Sequence, residues 1–285
     1  MSKTAPARGK RSRQLALFAE QRQQKVLELL ANHQSVRVSE LALSLQVSEA
    51  SIRRDLQSME EAGLLRRTHG GAVGTQTSNF EPSLAEKEDR LKEEKAVIAR
   101  EAVALIEDGE AIMLDAGSTT LQIARQLRQE RSNTNTVVTN AVNIARELAA
   151  ADLDVTLTGG SLRPLTFSLV GPIAEAALAG LHVDKLFLAT NGVDLKHGLT
   201  TPNLAEAQVK RAMIASAKEV ILVADHSKLG RISFCQFCPL TRIDCLITDA
   251  GAPADFLRAL EERQIKVLIA RGPEAEGKRA KRKAK

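Results

Sequence analysis

The chain has no Trp, no Tyr and only seven Phe among its 285 residues. Aromatic platforms for single-stranded bases or sugar rings need exposed flat side chains, so that mode of recognition is excluded and any nucleic acid bound is expected to be duplex. Cysteine is scarce. Cys235, Cys238 and Cys245 form an odd set with no disulfide framework, and no signal-peptide-like apolar region opens the chain, so a reducing cytoplasm is expected. Cys235 and Cys238 make a CxxC without a second pair or a nearby His pair. No metal is expected there, and buried small hydrophobes are the better reading. No run approaches the roughly 18 apolar residues of a membrane span, and no repeat recurs at solenoid spacing. What remains is ordinary: 44% hydrophobic and 26% charged residues give ample core, and the length suits two domains.

The net charge of +5 is unevenly spread. Residues 1–13 carry Lys3, Arg8, Lys10, Arg11 and Arg13 with no acid, and 278–285 carry six Lys or Arg with no acid. The body between them has 29 basic against 35 acidic side chains. Since 14–76 balances at seven of each sign, the acidic excess belongs to 77–277. Charge alone is therefore a poor argument for a nucleic-acid partner.

Hydrophobic periodicity divides the chain further. Helices are expected over Gln21–Asn32, with Val26, Leu27, Leu29 and Leu30 on one side, and over Ser39–Leu45, starting at an N-cap-type Ser39. A third follows Ser48 with Ile52, Leu56 and Met59 pointing inward, and Gly63 suits the left-handed C′ position that ends it. Two short strands with a Gly-rich turn follow. A polar stretch then gives way to apolar runs alternating with amphipathic helices: AIMLDAG, TVVTNA, DVTLTGG, DKLFLATNG, EVILVADHS, DCLITDAG and KVLIA are the strands. That alternation implies a mainly parallel sheet covered on both faces. The expected division is a basic, disordered arm at 1–20, a DNA-binding unit at 21–73, a linker at 74–85, an α/β domain at 86–272 and a basic, disordered tail at 273–285.

The third helix suits the major groove. Opposite its apolar stripe it presents Ser48, Ser51, Arg53 and Arg54, able to meet guanine edges or phosphates, although a solvated face with ion-paired arginines has the same pattern. Asp55 is awkward beside phosphate; orienting an Arg, capping the backbone or accepting from cytosine are its open roles. Arg66, Arg67 and His69 add charge to the turn, where Gly70 and Gly71 permit close approach to a phosphate. VSELALSLQVSEASIRRDLQSMEEAGLLRRTHGGA resembles the winged helix-turn-helix of DeoR-type bacterial regulators, whose reading helix carries V-S-x-x-T-I-R-R-D-L and whose wing carries R-x-H-G-G-A. Ser51 departs from the family's usual Thr, retaining the hydroxyl and losing a methyl that could meet thymine.

Polar and small residues gather at the strand ends of the larger domain, where open parallel sheets bind ligands. Asp115, Gly117, Ser118, Thr119 and Thr120 follow the first strand; Thr139 and Asn140 the second; Gly159 and Gly160 the third; Asn191 and Gly192 the fourth; Asp225, Ser227 and Lys228 the fifth. DAGSTT before a helix suits an anion, and it equally suits helix capping. Glu206 and Lys210, at i, i+4 on a helix, read as a surface pair. DAGSTT, VVTN, LTGG, LVGP, EAQVKRAM and VADHSKLG are similar to the sensor domain of the same DeoR-type family, related to ribose-5-phosphate isomerase and amino-sugar-phosphate deaminases. That resemblance implies an α/β, Rossmann-like sensor binding a phosphorylated sugar. The phosphate would lie at Gly117–Thr120 and Lys228, with Asp115, Asn140, Glu206 and Asp225 nearer the hydroxyls. LTTPNLAEAQV is similar to regulators of amino-sugar or hexitol catabolism.

The expected protein is a cytoplasmic, homo-oligomeric (dimer or tetramer) repressor that binds operator DNA and is released by a sugar phosphate, with no cofactor, catalytic residue or membrane partner. An isomerase or deaminase with an appended DNA module, using Asp115, Glu206 and Asp225 as acid or base, is the alternative. A duplex-binding protein acting through its basic tails is a third.

Overall fold

A computed structural model describes residues 19–32, 35–61, 64–74, 81–129, 135–151 and 153–272. The expectations for the two tails, for Gly63 and for most of the linker fall outside them. The chain divides into two compact units, 1–77 and 78–285. Among the described residues no helix is long and apolar enough to cross a membrane.

The N-terminal unit packs α1 (Ala19–Asn32), α2 (Val38–Leu45) and α3 (Glu49–Glu61) against a small antiparallel sheet. Its strands β1 (Ser35–Arg37), β2 (Leu65–Thr68) and β3 (Gly71–Gly74) lie in the order β1-β3-β2. Val26, Leu30, Leu41, Leu45, Ile52, Leu56, Met59 and Leu65 form one core. The helical stripes read from the sequence are the faces that close it. Two details differ. A strand, β1, leads directly into α2, so Arg37 takes the N-cap position and Ser39 lies inside the helix. The chain also turns after α2 through Gln46 in the left-handed region, a conformation no residue type announced.

The C-terminal unit opens with α4 (Leu84–Asp89) and α5 (Lys92–Val103), neither of which was read from the sequence. Its centre is a seven-stranded parallel sheet of β4 (Ala111–Leu114), β5 (Thr136–Thr139), β6 (Asp154–Leu157), β9 (Val183–Leu188), β12 (Ala217–Val223), β14 (Cys245–Asp249) and β15 (Lys266–Ala270). These are the seven apolar runs. Alternate side chains enter opposite cores, as period-2 geometry requires. Ile112, Leu114, Val137, Phe187, Ile221 and Ile247 face α5, α6 (Ser118–Leu127) and α7 (Val142–Leu148). Met113, Leu186, Leu188, Val220 and Leu246 face α8 (Pro172–Leu178), α9 (Leu204–Ala215) and α10 (Ala254–Glu261). The hairpin β7 (Ser161–Arg163) and β8 (Ser168–Val170), and a second antiparallel sheet of β10 (Gly192–Asp194), β11 (Gly198–Thr201) and β13 (Cys235–Cys238), complete the unit. The three cysteines are buried and free.

The strand order is β15-β14-β12-β9-β4-β5-β6. From β4 the chain winds outward through β5 and β6, then returns to β9 on the other side and winds away. The switch lies between β4 and β9, and a crevice opens beyond their carboxyl ends.

Candidate functional site

Two surfaces carry the residues singled out above. On α3, Ile52, Leu56 and Met59 are buried, leaving Arg53 and Arg54 exposed on the outer face. The Ser48 hydroxyl accepts from the Ser51 amide at 3.2 Å and caps the helix, and the two hydroxyls lie 3.0 Å apart. Arg53 meets Glu49 at 2.6 Å in an exposed pair, which competes weakly with a stronger anion. Asp55 has another task. It is buried and accepts from Arg22 Nε at 2.6 Å and Nη2 at 3.0 Å, so it bolts α3 to α1 and is not presented to a base edge. On the hairpin, Arg66 and Arg67 are half-buried, while His69 and Gly70 are exposed. Gly71 is buried: a Cβ there would lie 1.8 Å from the Val36 carbonyl oxygen. Its missing side chain makes room for β1.

In the C-terminal unit a cleft opens at the switch between β4 and β9, where open parallel sheets place small-molecule sites. Its floor is the loop from β4 into α6, with Ala116, Gly117, Ser118 and Thr119; its far side is Ala189, Thr190 and Asn191 beyond β9. Gly117 is the N-cap and has no side chain to accept from the first-turn amides of α6, which lack intrahelical partners. A Cβ on it would stand 2.8 Å from that of Ala189, so this glycine is what lets the two loops close together. Lys228 and Lys210 line the cleft, as do Glu206, Thr166, Glu81, Leu84 and Lys87. Lys228 is half-buried, makes no ion pair among the described residues, and burial pushes its ammonium down to about 8.

Five of the twelve residues expected to bind ligand thus line the cleft: Gly117, Ser118, Thr119, Glu206 and Lys228. The others stand behind it. Thr120 donates to the Gly117 carbonyl at 3.0 Å and Thr139 to that of Leu114 at 2.7 Å. Asn140 accepts from the Ala116 amide at 3.1 Å, and Asp225 accepts from the Ser227 amide at 3.0 Å. Gly159 and Gly160 have positive φ and turn the chain beneath α8, where a Cβ on Gly160 would meet the Val170 carbonyl at 2.7 Å. Asp115 is 1% exposed; it accepts from the Ala116 amide at 2.8 Å and the Ala189 amide at 2.9 Å, and it pairs with Lys210.

The surface-pair reading of Glu206 and Lys210 is overturned. Both are buried, because the antiparallel strands β11 and β13 cover the outer side of α9, and each has its own partner. Lys210 reaches Asp115 and donates to the Ala189 carbonyl at 3.1 Å. Glu206 accepts from Thr166 at 2.7 Å and Ser168 at 2.9 Å and pairs with Arg163. Burial would raise the Glu206 carboxyl, but Lys210, Arg163, Thr166 and Lys87 outweigh it and hold it below the usual carboxylate range. Sequence reading also missed Lys87, Glu81, Arg163 and Thr190. Nothing local marked them: Lys87 and Glu81 reach the cleft from α4 and the segment before it, Thr190 from the loop after β9, and Arg163 of β7 pairs with the lining carboxylates Glu81 and Glu206.

Residues 22–78 match the family model of a DeoR-like helix-turn-helix domain, and residues 90–250 that of the DeoR C terminal sensor domain. An HTH-type transcriptional regulator, GlpR of Haloferax volcanii, is 42% identical over 87% of this chain and 96% of its own length. The lactose phosphotransferase system repressor of Staphylococcus epidermidis is 35% identical over 79% of this chain and 89% of its own. Among solved structures, ribose 5-phosphate isomerase A from Methanocaldococcus jannaschii aligns with a TM-score of 0.37 and 21% identity over 48% of this chain and 54% of that one, a likeness too slight to carry chemistry across. With the exposed reading-helix face, the hairpin beside it and the cleft at the switch of a parallel sheet, both matched segments place the chain in one group: it belongs to the DeoR family of helix-turn-helix transcriptional regulators.

Proposed function

We propose that this regulator represses a sugar or amino-sugar catabolic operon, binding operator DNA through α3 and the β2–β3 wing and leaving it when a phosphorylated sugar fills the cleft. The carrying observation is the convergence of uncapped α6 amides and the unpaired Lys228 on one cleft. Amides at a helix N-terminus and a desolvated ammonium are complementary to a phosphate dianion. Gly117, Ser118, Thr119 and Lys228 are assigned to the phosphate, and Asn191 and Glu206 to sugar hydroxyls. Asp115, Thr120, Thr139, Asn140, Gly159, Gly160 and Asp225 hold the loops that present them. On the DNA side Ser48, Ser51, Arg53 and Arg54 read or grip the duplex, and Arg66, Arg67, His69 and Gly70 carry the wing. Gly71 shapes it from behind. Two half-sites on an operator call for a homo-oligomer, a dimer or tetramer.

Binding without turnover is the better reading of the carboxylates. Asp115 is locked by Lys210 and two amides, Asp225 caps a turn, and Glu206 is held ionised by cations and hydroxyls. None is free to shuttle a proton.

Thermal unfolding with a panel of sugar phosphates beside their unphosphorylated sugars tests this. A phosphorylated member should raise the transition and its parent sugar should not. Equal effects of the two, or none from any phosphate, would sink the proposal, and conversion of the ligand would restore the enzyme reading.

A further inference from the structure

We propose that Lys87 of α4 is a ligand-binding residue of the cleft, held in reserve by Glu81 until an anion takes it over. The proposal rests on the phosphate-binding reading above. The helix is unusual in position: α4 is the first element of the sensor unit, begun by a capping box between Ser83 and Glu86, yet its inner face supplies Leu84 and Lys87 to the cleft wall. It is fastened at several points. The Leu84 amide donates to the Leu165 carbonyl at 2.9 Å, Arg125 of α6 meets Glu88 at 2.9 Å, and the buried Lys95 donates to the Lys87 and Arg90 carbonyls. The backbone beneath Lys87 is therefore fixed, and its ammonium is the part able to change partner.

That ammonium now rests on Glu81 at 2.9 Å, with the two side chains only 16% and 5% exposed. Glu81 has a second cation, Arg163, also at 2.9 Å, and Arg163 continues to Glu206. The cleft therefore collects Lys87, Lys210 and Lys228 around a shared space, and Arg163 pairs with two of its lining carboxylates. Burial is the main reason the Lys228 ammonium is lowered, and Lys87, which lines the same cleft, is one of the nearby cations that add to it. A phosphate dianion entering beside Lys228 relieves this repulsion and offers Lys87 a stronger partner than a carboxylate that already has Arg163. Lys87 then leaves Glu81 for the anion, and Glu81 keeps Arg163 alone.

The full-length protein titrated with inorganic phosphate by calorimetry tests this. Wild type is expected to bind saturably, Lys87→Gln to bind about tenfold more weakly, and Glu81→Gln several-fold more tightly, the scale of one charged hydrogen bond gained or lost. In the Lys87→Gln background the Glu81→Gln gain should vanish, since the two act through one contact. A gain that persists there hands the role to Arg163 and overturns the assignment. If Lys228→Ala weakens binding while Lys87→Gln and Glu81→Gln match wild type, this proposal fails and the phosphate reading stands. No saturable binding by wild type removes both.

Discussion

Lys210 and Lys228 border the same cleft and are held in opposite ways. Lys210 is committed: it pairs with Asp115, whose carboxyl burial holds above its ordinary value even against the pull of the ammonium. Lys210→Met strands that carboxyl and should cost the sensor unit about 3–5 kcal/mol in urea unfolding, the usual penalty for breaking a buried pair. Lys228 is uncommitted. Lys228→Met removes a desolvated charge that lacks an ion-pair partner, so the ligand-free melting temperature should rise by about 2–4 °C, what ~1 kcal/mol is worth in a domain of this size, while phosphate no longer stabilises. A fall in melting temperature would make Lys228 a structural cation instead. The proton linkage has a definite sign. Lys228 releases its proton near pH 8 when folded, whereas an unfolded lysine holds it to about 10.4. Between those values the unfolded chain binds more protons, so this group's contribution to stability rises with pH. Phosphate affinity should run the other way, falling from pH 8 to 9.5, and calorimetric titration across that window decides it.

The reading helix depends on contacts made behind it. Arg53 and Arg54 stand in solvent, so Ala at both should leave stability within about 0.5 kcal/mol and abolish an operator footprint. Asp55→Ala removes the acceptor for Arg22, whose guanidinium is half-buried between α1 and α3. It should lower the melting of the N-terminal unit and weaken DNA binding together, a coupling that the arginine variants lack. Gly71→Ala forces a Cβ into the Val36 carbonyl and should unzip β1 from β3, with DNA binding lost and phosphate binding retained. These elements were legible because their information is local: apolar residues at helical spacing built α1, α2 and α3, and Ser48 caps as its type suggests. Asp55 was left open for the converse reason. Its partner lies 33 residues upstream, and no pattern in α3 announces it.

Across the molecule the same contrast recurs. The inner strands of the central sheet were visible as apolar runs, because strands buried on both faces need little else, while the largely exposed edge strand β6 was marked by the shorter run DVTL. The helix α9 was not legible in the same way: an i, i+4 charge pair looks alike on a wet face and on one covered by distant strands, and β11 and β13 cover this one. Strand-end residues such as Thr139 and Asn140 were read as reaching outward when their hydrogen bonds run inward. Two compact units predict two thermal transitions in full-length protein, of which phosphate should move only the sensor's; a single transition displaced as a whole would contradict that. The order of the strands has one more consequence, in time. The reading unit is complete by Gly74, whereas β4 must wait about seventy residues for β9, and the last of the three lysines that line the cleft, Lys228, comes later still. Long-range parallel pairings of this kind form late. On the proposed reading, the operator-recognising end is finished well before the phosphate site is complete, and a chain interrupted upstream of residue 228 keeps its reading helix but not the full proposed site.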